Sequence, residues 1–288
     1  MKRVAIIILA AAALVAGCAR EDDITPVTPP QPEKAHVQRI YTEVYTVLER
    51  LNPLTGNWDT IGQVHQDKNL YKELFWNGDR LDSIIENPYM SSSPYTIRFT
   101  YDDKGLLIRD EYFENGSRTG QYTIFQYDAE GRLSKFEYYS DDLLSKTGVI
   151  DSYVGDKISH MKYKDIMYDI DINYIYSAGN VTEMVVNGMI DNDRLHVVYS
   201  NTYDDYPNPY SLCLYNIVSP REPWKWITAN NILTEFSRTE EGDMEARDTR
   251  IDYFYRYENN LPVEKTYASY TGTMEARMTT TNKEYYEY

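Results

Sequence analysis

The sequence predicts an all-β protein, an antiparallel meander of repeated hairpins forming a curved sheet or a soluble barrel. Three observations carry that expectation. Apolar and polar residues alternate along segment after segment. A turn rich in Gly or Asp followed by an aliphatic residue recurs at nearly constant spacing. From about His36 onward no helical period interrupts the pattern.

The chain opens differently. Met1, Lys2 and Arg3 precede an unbroken apolar run from Val4 to Gly17. That run is too short for a membrane-spanning helix, which needs about 20 residues, and it matches the core of a secretory signal. It ends Leu14-Val15-Ala16-Gly17-Cys18, which resembles the bacterial lipobox. The resemblance implies cleavage after residue 17 and lipidation of Cys18. Residues 18 to 35 contain four prolines and no apolar period, the composition of an extended tether. Glu21-Asp22-Asp23 resembles the acidic signal that sends Bacteroidota lipoproteins to the outer face of the outer membrane. Three segments follow: a signal peptide over 1–17, a lipid-anchored, Pro-rich acidic tether over 18–35, and one all-β domain over 36–288.

Within the domain, Tyr95-Thr96-Ile97-Arg98-Phe99-Thr100-Tyr101 places its odd residues on one face. Tyr168 to Tyr174 and Ile251 to Tyr257 follow the same rule, with Phe254 as an exception. Such strands have one buried and one wet face. The aliphatic residues after the turns are Leu81, Leu107, Leu133, Ile158 and Val181, at spacings of 26, 26, 25 and 23. A unit of that size holds two strands and two tight turns. The rhythm breaks between Tyr203 and Asn231, where Tyr206-Pro207-Asn208-Pro209-Tyr210 and Pro220-Arg221-Glu222-Pro223-Trp224 cannot be central strand. A long ordered excursion packed by its own aromatics, Trp224 and Trp226 among them, is expected there.

Alternation alone does not separate a soluble barrel from a membrane barrel, because the two turn opposite faces outward. The apolar faces are interrupted. Asp110 is read on the face of Leu106, Ile108 and Tyr112, and Lys135 and Glu137 lie between Leu133 and Tyr139. Charge at bilayer mid-depth costs about 2–4 kcal/mol for each Lys or Arg, so a soluble form with its apolar face inward is expected.

Tyr101-Asp102-Asp103-Lys104-Gly105-Leu106-Leu107 and Tyr127-Asp128-Ala129-Glu130-Gly131-Arg132-Leu133 resemble YD repeats, the hairpin units of large bacterial shell-forming toxins. With Tyr203-Asp204-Asp205-Tyr206-Pro207-Asn208-Pro209-Tyr210 and Asn230-Asn231, the chain more closely resembles a family of Bacteroidota secreted lipoproteins of unknown function. That family is described as having a porin-like all-β fold, and the resemblance covers roughly residues 70 to 270. It implies fold and location, and no activity.

The search for chemistry returns little. Phosphate loops, GxSxG elbows, HExxH and paired cysteines are absent from the sequence. His36, His65, His160 and His196 are scattered singly, and Cys213 sits in an apolar run. Adjacent carboxylates such as Asp102-Asp103, Asp141-Asp142, Asp204-Asp205 and Glu240-Glu241 have the look of solvated turns. No catalytic residue, metal site or cofactor is assigned. A formal net charge of −16, more negative once Lys2 and Arg3 leave, repels phosphate backbones and excludes nucleic acid as a partner.

The 29 tyrosines and 4 tryptophans are the distinctive resource. Aromatic faces stack on sugars and line apolar sites, and the candidate ligand-binding residues are Trp224, Trp226, Tyr206 and Tyr210. The first expectation is a non-catalytic surface lipoprotein held to the outer membrane through Cys18, with a glycan or protein ligand. The alternative is a periplasmic carrier of a lipid or other apolar ligand, and the weakest is a carboxylate-dependent hydrolase. An aliphatic cavity would favour the carrier; a row of exposed Trp and Tyr would favour glycan.

Overall fold

The computed structural model describes residues 36–87, 93–191, 193–208, 228–242, 246–272 and 276–288. Cys18, the tether, Tyr210, Cys213, Trp224 and Trp226 lie outside the described residues. Among those described are sixteen strands: β1 (Arg39–Leu51), β2 (Trp58–Asn77), β3 (Arg80–Glu86), β4 (Tyr95–Tyr101), β5 (Leu107–Glu114), β6 (Ser117–Tyr127), β7 (Leu133–Ser140) and β8 (Leu143–Val154). Then come β9 (Lys157–Lys164), β10 (Tyr168–Ser177), β11 (Asn180–Ile190), β12 (Asp193–Pro207), β13 (Asn230–Glu241), β14 (Arg247–Glu258), β15 (Leu261–Gly272) and β16 (Ala276–Glu287). Each strand pairs antiparallel with its successor, and β1 pairs with β16 from Arg39↔Glu287 to Arg50↔Ala276. The barrel is therefore closed.

A closed meander sorts its turns onto two rims. One rim carries the turns before β3, β5, β7, β9, β11, β13 and β15, together with the start of β1 and the end of β16. We call it the tyrosine rim, for a device that repeats along it. At each of these turns the tyrosine (Trp76 in the first) that closes one strand faces the aliphatic residue or proline that opens the next: Trp76↔Leu81, Tyr101↔Leu107, Tyr127↔Leu133, Tyr153↔Ile158, Tyr176↔Val181, Tyr203↔Ile232 and Tyr257↔Pro262. A bulge follows every one of these pairs. A bulge leaves an extra residue out of the ladder, and here a tyrosine hydroxyl supplies a partner for the carbonyl beside it. Tyr101 donates to the Leu81 carbonyl at 2.7 Å, Tyr127 to Leu107 at 2.8 Å, Tyr176 to Ile158 at 2.7 Å and Tyr203 to Val181 at 2.6 Å. Tyr153 reaches Leu133 in the same way.

The Asp of each Tyr-Asp pair closes the turn. Asp128 Oδ1 accepts from the Glu130 amide at 3.1 Å and the Arg132 amide at 2.8 Å, and Asp102 caps Lys104 and Leu106 alike. Gly105 and Gly131 complete these turns at φ +85° and +79°, which a side chain would strain.

The bulges also correct the face assignment made from alternation. Leu133 points inward opposite Tyr127, the register then shifts, and Phe136 points inward opposite Phe125. Lys135, Glu137 and Tyr139 consequently lie on the outer wall, not on the face of Leu133. In β5 the inward residues are Leu107, Asp110 and Tyr112, so Asp110 shares no face with Leu106 or Ile108.

Inside, β3 to β12 supply an aliphatic and aromatic core. Ile84, Ile97, Phe136, Ile172, Val181 and Met184 are 1% exposed or less. Gly148 faces Phe136 across the ladder, and a Cβ built there would stand 2.0 Å from the phenyl ring. The ring fills the space that the glycine leaves. On β13 to β16 the inner face turns polar. Lys265 is buried, 3.4 Å from Glu284, with its ammonium over the rings of Tyr253 at 5.2 Å and Tyr267 at 5.0 Å. Tyr253 donates to buried Glu235 at 3.2 Å.

The outer wall carries ion pairs around the barrel. Arg109 meets Glu111 at 2.8 Å, Lys135 meets Glu137 at 2.6 Å, Lys162 meets Asp151 at 3.2 Å and Arg250 meets Asp252 at 2.8 Å. Among the described residues no helix is long and apolar enough to cross a membrane.

Candidate functional site

Three places gather polar or cavity-forming groups, and one of them holds a residue expected from the sequence. Tyr203-Asp204 begins as another Tyr-Asp unit, with Tyr203 clasped back to Val181 and Asp204 Oδ1 accepting from the Tyr206 amide at 2.9 Å. Here the chain does not turn at once. Asp204 reaches instead across the base of the excursion, accepting from the Asn231 amide at 3.2 Å and from the Tyr257 hydroxyl. Asn231 Nδ2 donates to the Tyr206 carbonyl at 3.4 Å, and Asn230 Nδ2 to the same carbonyl at 3.2 Å. Asn180 and Asn230 exchange two bonds, at 3.0 and 2.9 Å. Asn208 closes the base through the Ala229 carbonyl at 2.9 Å and both Thr228 oxygens.

This knot joins the end of β12 to the start of β13 at the tyrosine rim. Burial pushes the Asp204 carboxyl up, against the hydrogen bonds that hold it ionised. Burial and the Asp204 charge push the Tyr257 hydroxyl up. Tyr206 belongs to the knot, and its ring stacks on Tyr257 with centroids 4.1 Å apart. The sequence signal for the knot is the Tyr-Asp pair at 203–204 without a Gly to close its turn, followed by Asn230-Asn231. Asn180 and Tyr257 carry no such signal and were missed.

A second place lies toward the opposite rim. A cavity of about 270 Å³ opens between β10 and β14, lined by Ile170, Ile172, Val186, Ile190, Leu195 and Val197, with Tyr199, Thr239, Glu241 and Thr249 as its polar side. Tyr206 is not among its lining residues. The alternation of β10 to β12 predicts the inward aliphatics. That space remains between them depends on barrel closure, which no local pattern records.

The chain matches no protein-family model, and no curated protein matches it. Among solved structures it is similar to a porin-like protein from Bacteroides vulgatus, at 12% identity over 88% of this chain and 98% of that one, TM-score 0.39. It is also similar to a porin-like protein from Bacteroides uniformis, at 13% identity over 84% of this chain and 97% of that one, TM-score 0.34.

The third place is a single residue. Asp110 is fully buried opposite Thr123, and its Oδ1 accepts from the Thr123 amide at 2.8 Å. Its Oδ2 and Thr123 Oγ1 lack hydrogen-bond partners among the described residues. Burial raises the carboxyl from its ordinary 3.8 to about 7.

The histidines stay apart. His36 stacks on Trp76 at 4.2 Å, His65 meets Glu43 at 3.0 Å, His160 sits 3.2 Å from both Asp151 and Asp171, and His196 bonds Asn187 at 2.7 Å. Among the described residues no three His, Cys, Asp or Glu side chains converge as metal ligands. Several of the acidic pairs noted in the sequence serve turns: Asp102 caps one, and Asp141 and Asp142 form another at φ +52° and +59°.

Proposed function

We propose that the protein is a non-catalytic binding barrel, held at the outer membrane by lipid on Cys18, that carries a small apolar or amphipathic ligand in the cavity between β10 and β14. The observation that carries this reading is the lining. Six aliphatic side chains form one wall, and the hydroxyl- and carboxylate-bearing residues opposite supply at least as much of the exposed lining and orient the ligand. Ligand sites are commonly apolar cavities with a few placed polar groups. At about 30 Å³ of liquid volume per water, the space accommodates a ligand of roughly nine heavy atoms. The outer wall supports a barrel that is itself water-soluble, since mid-strand Arg and Lys would each cost about 2–4 kcal/mol against hydrocarbon.

The glycan reading rests on Trp224, Trp226 and Tyr210, and on a Tyr206 ring already stacked against Tyr257. The cavity therefore favours the carrier over the glycan binder. Calorimetric titration with indole, an amphipathic probe of that size with one N–H donor, tests the proposal. Saturable binding is expected in the intact chain, and Val186→Trp, which fills the cavity, abolishes it. No binding in the wild type, or full binding in Val186→Trp, overturns the reading.

A further inference from the structure

The two rims differ in what their turns display. On the tyrosine rim the described turns are polar or small: Asn77-Gly78-Asp79, Asp102 to Gly105, Asp128 to Gly131, Gly155-Asp156, Ala178-Gly179 and Asn259-Asn260. On the opposite rim three hairpin tips carry large apolar side chains in water. Leu54 is 93% exposed at the β1–β2 tip, Leu143 and Leu144 are 73% and 55% exposed at the β7–β8 tip, and Ile166 is 95% exposed at the β9–β10 tip beside Met167.

The turns that present them are stiff. Asn52 Oδ1 caps Leu54 and Thr55, and Asp165 Oδ1 accepts from Met167 and Tyr168 at 2.8 Å each. Tight turns favour Gly, Asn, Asp and Ser, so large apolar side chains at three tips of one rim call for a partner. Between the β7–β8 and β9–β10 tips runs a notch of about 510 Å³ lined by Leu143, Leu144 and Ile166 together with Lys146, Lys164 and Asp165.

We infer that this rim docks on a phospholipid surface whose head groups are zwitterionic. The tips stand on separate hairpins, and a bilayer interface takes separate apolar side chains without needing a matching shape. Lys146, its ammonium over the Tyr138 ring at 4.9 Å, brings positive charge to the notch of an otherwise acidic protein, where a lipid phosphate would lie, while Lys164 beside it is paired with Asp169 at 2.5 Å. Asp141, Asp142 and Asp165 stand at the same tips and oppose a net anionic surface. β1 begins at the tyrosine rim, opposite the apolar tips.

This inference stands on the tips and goes beyond the ligand carried inside. The cavity lies toward the same rim, since Ile190, Leu195 and Glu241 border its turns. A ligand leaving a docked barrel would pass directly into the lipid.

The test uses the mature chain, residues 18–288, with Cys18→Ala, so that neither the apolar leader nor an attached lipid drives binding. It is sedimented with vesicles of phosphatidylethanolamine and phosphatidylcholine. Co-sedimentation is expected, and at least tenfold weaker partition for the combined Leu143→Ser, Leu144→Ser and Ile166→Ser variant. Val154→Ser removes a side chain 63% exposed at the tyrosine rim and leaves partition unchanged. No partition by the parent chain, or an equal loss in Val154→Ser, overturns the inference. Indole binding, measured without vesicles, is read in parallel: docking without probe binding removes the carrier reading alone, and probe binding without docking removes this one alone.

Discussion

Tyr127 donates its hydroxyl to the carbonyl of Leu107 at 2.8 Å, while its backbone faces Leu133 across the turn that follows. One side chain thus joins the start of β5 to the junction of β6 and β7. The same link recurs from Tyr101, Tyr153, Tyr176 and Tyr203. Burial pushes the Tyr127 hydroxyl up to about 12, so it stays a donor throughout the physiological range.

Tyr127→Phe keeps the ring and removes the donor. A half-buried carbonyl left without its partner costs about 1–3 kcal/mol. Chemical denaturation should show a loss in that range. A midpoint equal to that of the wild type would mean that water replaces the hydroxyl and the clasp stabilises nothing.

Gly148→Ala puts a methyl where the Phe136 ring already lies, 2.0 Å from the built Cβ. Phe136 is fully enclosed and has no solvent side to move toward. Overpacking of this kind costs about 1–3 kcal/mol. A lowered melting temperature is expected, recovered in part when Phe136→Leu is added; a melting temperature unchanged by Gly148→Ala would show that the ring has room.

Asp110 makes stability depend on pH in the direction opposite to that of a paired carboxylate. Its folded value of about 7 lies above its ordinary 3.8. Between these values the folded protein keeps a proton that the unfolded chain has lost. The contribution of this group is therefore most favourable at low pH, falls as pH rises from 3.8, and levels off above about 7. Asp110→Asn keeps an acceptor for the Thr123 amide and carries no charge. It should be more stable than the wild type at about pH 8, by about 1–3 kcal/mol, with the gap narrowing toward about pH 5. Denaturant midpoints for both proteins across that interval measure it, and parallel curves would show that Asp110 is hydrated.

Cys18 should incorporate a clickable palmitate analogue in cells, and Cys18→Ala should not. The domain without its first 35 residues should be recovered without detergent and give a β-type circular dichroism spectrum. Label retained in Cys18→Ala would sink the lipobox reading, and dependence on detergent would turn the charged wall into an argument against the soluble barrel.

Strand content was legible because alternation is local. Tyr95 to Tyr101 needs only its own seven residues to declare an inner and an outer face. The spacing of Leu81, Leu107, Leu133, Ile158 and Val181 was legible too, and the clasp geometry explains it: each marks an inward residue before a bulge. The bulges themselves were not read. One unpaired residue reverses the phase, which is why Leu133 and Tyr139 were placed together and lie on opposite faces. Closure was illegible as well, because Arg39↔Glu287 joins residues at the two ends of the domain and leaves no local trace. Of the candidate site, Tyr206 could be followed into the polar knot. The cavity could not be foreseen, since it exists only where distant strands fail to fill the space they enclose.

The β1–β16 seam sets an order of events for the newly made chain. Every other ladder joins neighbours in sequence, so hairpins from β2 to β15 can form as they emerge, at little entropic cost. β1 emerges first and cannot be satisfied on its outer edge until the last twelve-residue strand arrives. Until β16 pairs, the chain presents a thirteen-residue unpaired edge, the kind of surface on which chains aggregate. A chaperone that shields extended strands would meet its need in that interval, and loss of β16 alone would leave a product that is almost fully paired yet permanently adhesive.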